Sequence, residues 1–266
     1  MSDEAPQAMH EETHSRAIDV SIEIDADAET VWRALTQGEE IARWFPLDAR
    51  VRPGAGGAIW FSFGEGMEWE SPITIWEPNR HLRTADLPSR VAVDYYIETR
   101  EGKTILRLVH SGFAADTWEG ELDSLENGWG SFLATLKLYL EQHRGEPRTV
   151  AFFRHPPLEI SRDEAFGRMM AAFGIRAAGD GELAVGSRYV TDAGFEGVVA
   201  VHGRPINFSG IVENLGNAFL MLEIEGGKKR CRPAMWVSLY GDAQNQAPAL
   251  QQRITQLIEE TFATPS

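Results

Sequence analysis

Across residues 116–143, Trp118, Leu122, Leu125, Trp129, Phe132, Leu136 and Tyr139 recur at alternating spacings of four and three. That period lays bulky apolar side chains along one face of a long helix. A stripe of this bulk needs a broad apolar surface to lie on, and the strand-like runs before it can supply one as a curved sheet. The chain is thereby constrained to close a helix over a sheet, with room for a guest between them.

The runs leading to that helix have a definite order. Ile18–Ile24 alternates apolar and polar residues and predicts an opening strand. Asp27 is placed to cap a short helix through Leu35, because its carboxylate can accept from helix-terminal amides. A second short helix is expected over 39–44, stopped by Pro46. Strands follow at 49–52, 58–63, 68–76, 82–86, 91–98 and 104–110, separated by Pro53-Gly54, Gly64, Pro78-Asn79 and Glu101-Gly102.

After Gly145–Pro147, read as a linker, a shorter version of the order returns. Ser161 and Glu164 form a capping box; a helix runs to Phe173 and ends at Gly174. Strands are expected at 197–202, 207–213, 218–225 and 235–240, then a closing helix over 248–262. The expected division is a disordered leader (1–16), a first domain (17–144), a linker (145–149) and a second, shorter domain (150–266).

Charge and composition narrow the function classes. The net charge is −15 over 266 residues; residues 1–147 carry 27 acidic and 13 basic side chains, and residues 148–266 carry 13 and 12. An acidic surface without a basic stripe repels phosphate backbones, so no nucleic-acid partner is expected. The cluster Lys228–Arg232 beside Gly226-Gly227 reads as a hairpin turn. No run approaches the length of a membrane span, and the polar, acidic start is unlike a secretory signal. Cys231 is the single cysteine, which fits a reducing cytoplasm and a buried thiol. The histidines are scattered, and no HExxH, Gly-rich phosphate loop or G-x-S-x-G elbow occurs. No metal and no cofactor are expected.

Several local signatures coincide: Val31-Trp32-Arg33-Ala34-Leu35-Thr36 after the first strand, Ile41-Ala42-Arg43-Trp44-Phe45, Leu106-Arg107-Leu108-Val109-His110-Ser111-Gly112-Phe113, and Asn127-Gly128-Trp129 with Leu133, Leu136 and Tyr139-Leu140-Glu141. Together they resemble the activator-of-Hsp-90-ATPase-homologue-like branch of the START/SRPBCC superfamily, over residues 17–144. The resemblance implies an α+β helix-grip fold: a curved antiparallel sheet wrapped around a long C-terminal helix, with a cavity for an apolar small molecule in many members. It does not imply one reaction. Residues 150–266 resemble only the superfamily, through the order of elements, and suggest a degenerate second copy.

Strand alternation selects the inward faces. Phe61 and Phe63, Trp69 and Ile73, Val93 and Tyr95, and Leu108 and His110 fall on them, facing Leu125, Trp129 and Phe132 of the helix; Glu68, Glu70, Asp94, Glu98 and Arg107 fall on the opposite, solvent faces. Ordinary core packing accounts for any one of these side chains, but so broad an aromatic wall is hard to fill completely. The favoured reading is a non-enzymatic protein binding a small hydrophobic or aromatic ligand. A cyclase, dehydratase or hydrolase using the same cavity is the alternative, with His110 and Tyr95 as candidate catalytic groups; a structural role is the favoured reading for His110. A chaperone-cofactor or other protein-interaction module is the third reading. The second half is expected to have a smaller cavity or none, and to serve in packing or as a homodimer contact.

Overall fold

Alternating buried and exposed positions make Ile18–Ile24 a strand, β1, and Asp27 opens the first helix, α1 (Ala28–Thr36), directly after it. Asp27 Oδ1 accepts the Thr30 N–H at 2.7 Å, satisfying a donor that a helix start leaves without a partner. This computed structural model describes residues 17–64, 66–86, 88–113, 119–203, 207–227 and 229–263. The expected leader, Trp118 and Lys228 lie outside them.

Helix α2 (Gly38–Ile41) is shorter than the 39–44 expected. Arg43 N–H donates to Glu40 O and Trp44 N–H to Ile41 O, three-residue bonds that tighten the last turn. Trp44 Nε1 then donates to Ala34 O at 2.9 Å, which pins the turn and leaves Phe45 buried. Six strands follow: β2 (Asp48–Arg52), β3 (Ala58–Ser62), β4 (Glu68–Glu77), β5 (His81–Ala85), β6 (Ala92–Arg100) and β7 (Lys103–Ser111), all within a residue or two of expectation. The sheet order is β1-β7-β6-β5-β4-β3-β2, antiparallel throughout. Gly112 leaves it at φ +89°, where an added Cβ would stand 1.9 Å from Arg90 O; only glycine fits there. The long helix α3 (Glu119–Gln142) closes the first unit.

The second unit has the same topology. β8 (Thr149–Arg154) leads to α4 (Arg162–Ala172), capped by Ser161 Oγ, and then to β9 (Arg176–Ala177), β10 (Arg188–Val190), β11 (Glu196–Gly203), β12 (Asn207–Val212), β13 (Ala218–Gly226), β14 (Cys231–Leu239) and α5 (Ala247–Phe262). The order β8-β14-β13-β12-β11-β10-β9 repeats that of the first sheet, opening strand against last strand. Expectation missed β8, β9 and β10. The two-residue β9 and three-residue β10 are too short to show a period, and β8 follows the expected linker directly, overlapping it only at Thr149.

The units dock through α3. Residues of β13 and β14, and Tyr240 just after β14, alternate between two cores: Phe219, Met221, Trp236 and Tyr240 join the first unit's, while Leu220, Leu222, Met235, Val237 and Leu239 pack with α4 and α5. Helix α3 therefore lies between its own sheet and the next one. Ser131 Oγ, fully buried, is 2.7 Å from Ser209 Oγ and 3.1 Å from Asn207 Oδ1 of β12. Gly130 lies under Val201 of β11. Tyr240 hydroxyl donates to Arg43 O at 2.7 Å, and His143 stacks on the Tyr240 ring at 4.3 Å.

Candidate functional site

The side chains at the end of α2 and along β3, β6, β7 and α3 do not fill the space they enclose. A cavity of about 860 Å³ remains, within the range of small-molecule sites. Phe61, Phe63, Val93, Tyr95 and His110 line it from the first sheet, and Trp129 and Phe132 from α3. Trp69 and Leu125 also line it, but they are 44% and 37% exposed; both belong to its mouth, not its interior. Ile73 and Leu108 are not on the wall. They are 1% and 0% exposed within the core, Ile73 beside the register shift that separates it from Ile75 on β4. A bulge of that kind ends strict alternation. Asp94, expected to face solvent, is 3% exposed and accepts from His81 Nε2 at 2.7 Å, with Arg83 at 3.7 Å. Pairing makes that burial tolerable.

Phe45, which strand alternation does not reach, organises the aromatic wall. Its ring centroid is 4.5 Å from Phe132, 5.2 Å from Phe63, 5.5 Å from Phe61 and 5.6 Å from Trp129. The second unit supplies the other side, which sequence reading missed entirely. Trp236 of β14 meets Phe63 edge-on at 5.9 Å and stacks on Phe152 at 3.6 Å; Arg154, Asn207, Glu223 and Glu225 complete that wall.

The polar groups are few and specifically held. Trp129 Nε1 donates to His110 Nδ1 at 3.0 Å. That bond assigns the ring proton to Nε2 in the neutral imidazole. Burial lowers the His110 pKa from 6.5 to about 4, because an apolar wall disfavours the imidazolium. At neutral pH His110 is consequently a hydrogen-bond donor through Nε2, with its one basic nitrogen already occupied. Burial likewise pushes the Tyr95 phenol well above its usual range, so it remains protonated, and its hydroxyl has no hydrogen-bond partner among the described residues. Neither group is poised as a general base.

Trp236 Nε1 of β14 donates to Glu223 Oε1 of β13 at 3.0 Å, while Arg154 of β8 donates to Glu225 Oε1 of β13 through Nε at 2.9 Å and Nη2 at 2.7 Å. Burial, followed by the neighbouring Glu225 charge, raises the Glu223 pKa above the ordinary carboxylate range. Among the described residues no group of His, Cys, Asp or Glu is arranged to hold a metal ion, and no helix is long and apolar enough to cross a membrane.

A seven-stranded antiparallel sheet closed by its C-terminal helix around an aromatic cavity defines the first unit as a helix-grip domain. Residues 25–141 match the family model of Activator of Hsp90 ATPase homolog 1-like protein. Among solved structures, the Aha1 dimer from Colwellia psychrerythraea is 25% identical over 49% of this chain and 99% of its own, with a TM-score of 0.45. CalU16 from Micromonospora echinospora is 24% identical over 48% of this chain and 78% of its own, with a TM-score of 0.40. DynU16, a putative protein in the dynemicin biosynthetic locus, is 17% identical over 91% of this chain and 95% of its own, with a TM-score of 0.42. No curated protein matches the chain.

Proposed function

We propose that this protein binds a small hydrophobic or aromatic molecule between the first sheet, α3 and the facing strands of the second unit, without a cofactor. The observation that carries the reading is the cavity of about 860 Å³ with aromatic side chains on both sides. Burying a flat guest against such walls is favourable at roughly 25 cal/mol per Å² of apolar area, before the costs of association. The Nε2–H of His110 and the hydroxyl of Tyr95 give a bound molecule two fixed polar contacts, the usual way an apolar pocket acquires orientation. Their protonation states favour binding over acid–base turnover as the role of these two residues.

Native mass spectrometry of the purified full chain, with solvent extraction of anything carried along, tests the proposal together with a Nile red titration. A stoichiometric guest, or saturable one-to-one dye binding lost in Trp129→Ala, is expected. A chain that carries nothing and takes up no dye overturns it.

A further inference from the structure

The charges around the cavity are one-sided. Among the described residues four carboxylates line it: Glu70 from β4, Asp86 after β5, and Glu223 and Glu225 from β13. Arg154 of β8 is the one cationic side chain on the wall among the described residues, and its guanidinium is committed to Glu225. Glu70 has Arg52 at 3.6 Å outside the cavity, and His110 is neutral. A recess lined by unbalanced carboxylates with low-dielectric walls concentrates cations.

Glu223 is held by an indole N–H, whereas Glu225 is held by a guanidinium. Glu223 is two residues from Glu225 on one strand, so both point to the same side of the sheet. One of its oxygens is fixed by Trp236 Nε1. The indole carrying that donor stacks on Phe152, and Arg154 lies over both rings, 4.9 Å from Phe152 and 5.7 Å from Trp236. The aromatic faces that would cover an apolar guest also attract a cation. We propose that the guest carries a protonated amine seated against Glu223, with its apolar body among Phe63, Trp69 and Trp236. This rests on the cavity being a binding site. It adds the chemical class of the ligand, and it makes the second unit the source of specificity.

The state of Glu223 follows from the same geometry. With Glu225 beside it and little water around it, the carboxyl resists ionisation. An ammonium group removes that resistance by supplying the missing counter-charge, so uptake of the guest near neutral pH displaces a proton from Glu223. Among the described residues, the charged or titratable groups that line the cavity with it are Glu225, Arg154, Glu70, Asp86, Tyr95 and His110. Of these only Arg154 is cationic, and it is already paired.

The test uses the full chain and three probes that share one ring system: 2-naphthylmethylamine, 2-naphthalenemethanol and 2-naphthoate. Calorimetry at about pH 8, where the amine probe keeps its charge, is expected to show the amine binding about tenfold more tightly than the alcohol, and the carboxylate most weakly. Repeating the amine titration in buffers of different ionisation enthalpy should reveal proton release. Glu223→Gln keeps an oxygen for the Trp236 indole and removes the charge, so it should erase the preference for amine over alcohol. An amine that binds no better than the alcohol, or a preference that survives in Glu223→Gln, overturns the inference while Nile red binding leaves the cavity reading standing. Failure of all three probes and of Nile red removes both.

Discussion

Trp129 on α3 donates its indole proton to His110 Nδ1 on β7 across 3.0 Å, tying the helix to the strand that ends beneath it. The bond exists only with a neutral imidazole, since a protonated ring has no acceptor nitrogen. The folded-state pKa of His110 lies near 4 against an ordinary 6.5, so the unfolded chain takes up the proton first. His110 therefore contributes stability that is present above pH 6.5 and lost as pH falls toward 4. Between pH 7 and pH 5 the wild-type chain should lose about 2 kcal/mol relative to His110→Asn, read from urea unfolding at each pH. The variant comparison separates this slope from carboxylate titration. Long-range nitrogen NMR should place the proton on Nε2, and equal pH slopes for the two chains would exclude the assignment.

The buried contact between Ser131 and Ser209 is a second point of leverage, because it joins the units rather than elements within one. Both hydroxyls are 0% exposed, and both also engage Asn207 Oδ1. A single Ser→Ala change leaves the other hydroxyl with Asn207 Oδ1 alone, whereas the double change takes both hydroxyl donors from that oxygen. A double-mutant cycle should return a coupling of about 0.5–1.5 kcal/mol. Additive single effects would mean that the hydroxyls do not act as a pair. Ser131→Leu should be more damaging than either alanine, since the helix meets β12 there with no space to spare.

Phe45 is the centre of the aromatic wall, and its replacement separates shape from apolarity. Phe45→Ala should cost about 3–5 kcal/mol, because the ring it removes touches five others, Trp44 included, and the residue is buried. Phe45→Leu should retain more than half of that stability while weakening Nile red binding, since a branched aliphatic cannot reproduce the edge contact with Phe132. Thermal and urea unfolding measure the first effect, and dye titration the second. A Leu variant that binds as tightly as wild type would show that the wall needs bulk rather than rings.

What could be read in advance depended on how many faces of an element are buried. β6, β7 and α3 each have one dominant apolar face, so Tyr95, His110, Trp129 and Phe132 could be assigned from period alone, and the structure puts all four around one cavity. Ile73 lies beside a register shift, where alternation stops predicting the face. Leu108 is correctly inward, yet it is covered by core side chains and does not reach the cavity. The opposite wall was missed for another reason. Ala218–Leu222 and Met235–Tyr240 are almost continuously apolar, the signature of a strand buried on both sides, but that pattern does not say which surface covers the second face. The small residues Gly130 and Ser131 on α3 carried the complementary signal, a helix surface cut low for a close neighbour. Phe45 falls in a tight turn with no period to expose it.

Trp69 supplies the last prediction, because it is both aromatic and accessible. Its ring lies nearly parallel to Phe63, 5.4 Å away at 6°, yet the residue is 44% exposed at the cavity mouth. A side chain with one face on a wall and the other in water contributes little to folding, since it is only partly removed from solvent in the native state. Trp69→Ala should therefore cost less than about 1.5 kcal/mol, against about 3–5 kcal/mol for Phe63→Ala, which empties a buried site. Binding should reverse that order of importance. Closing a guest beneath the Trp69 ring buries apolar area that the free protein leaves wet, and its loss should weaken Nile red by about tenfold. Acrylamide quenching offers an independent readout: the Trp69→Phe chain should lose an accessible fraction of its fluorescence quenching, and saturating dye should protect the same fraction in the wild type. If dye leaves that fraction fully quenchable, the guest does not pass or rest beneath Trp69, and the mouth must be assigned elsewhere along the cavity rim.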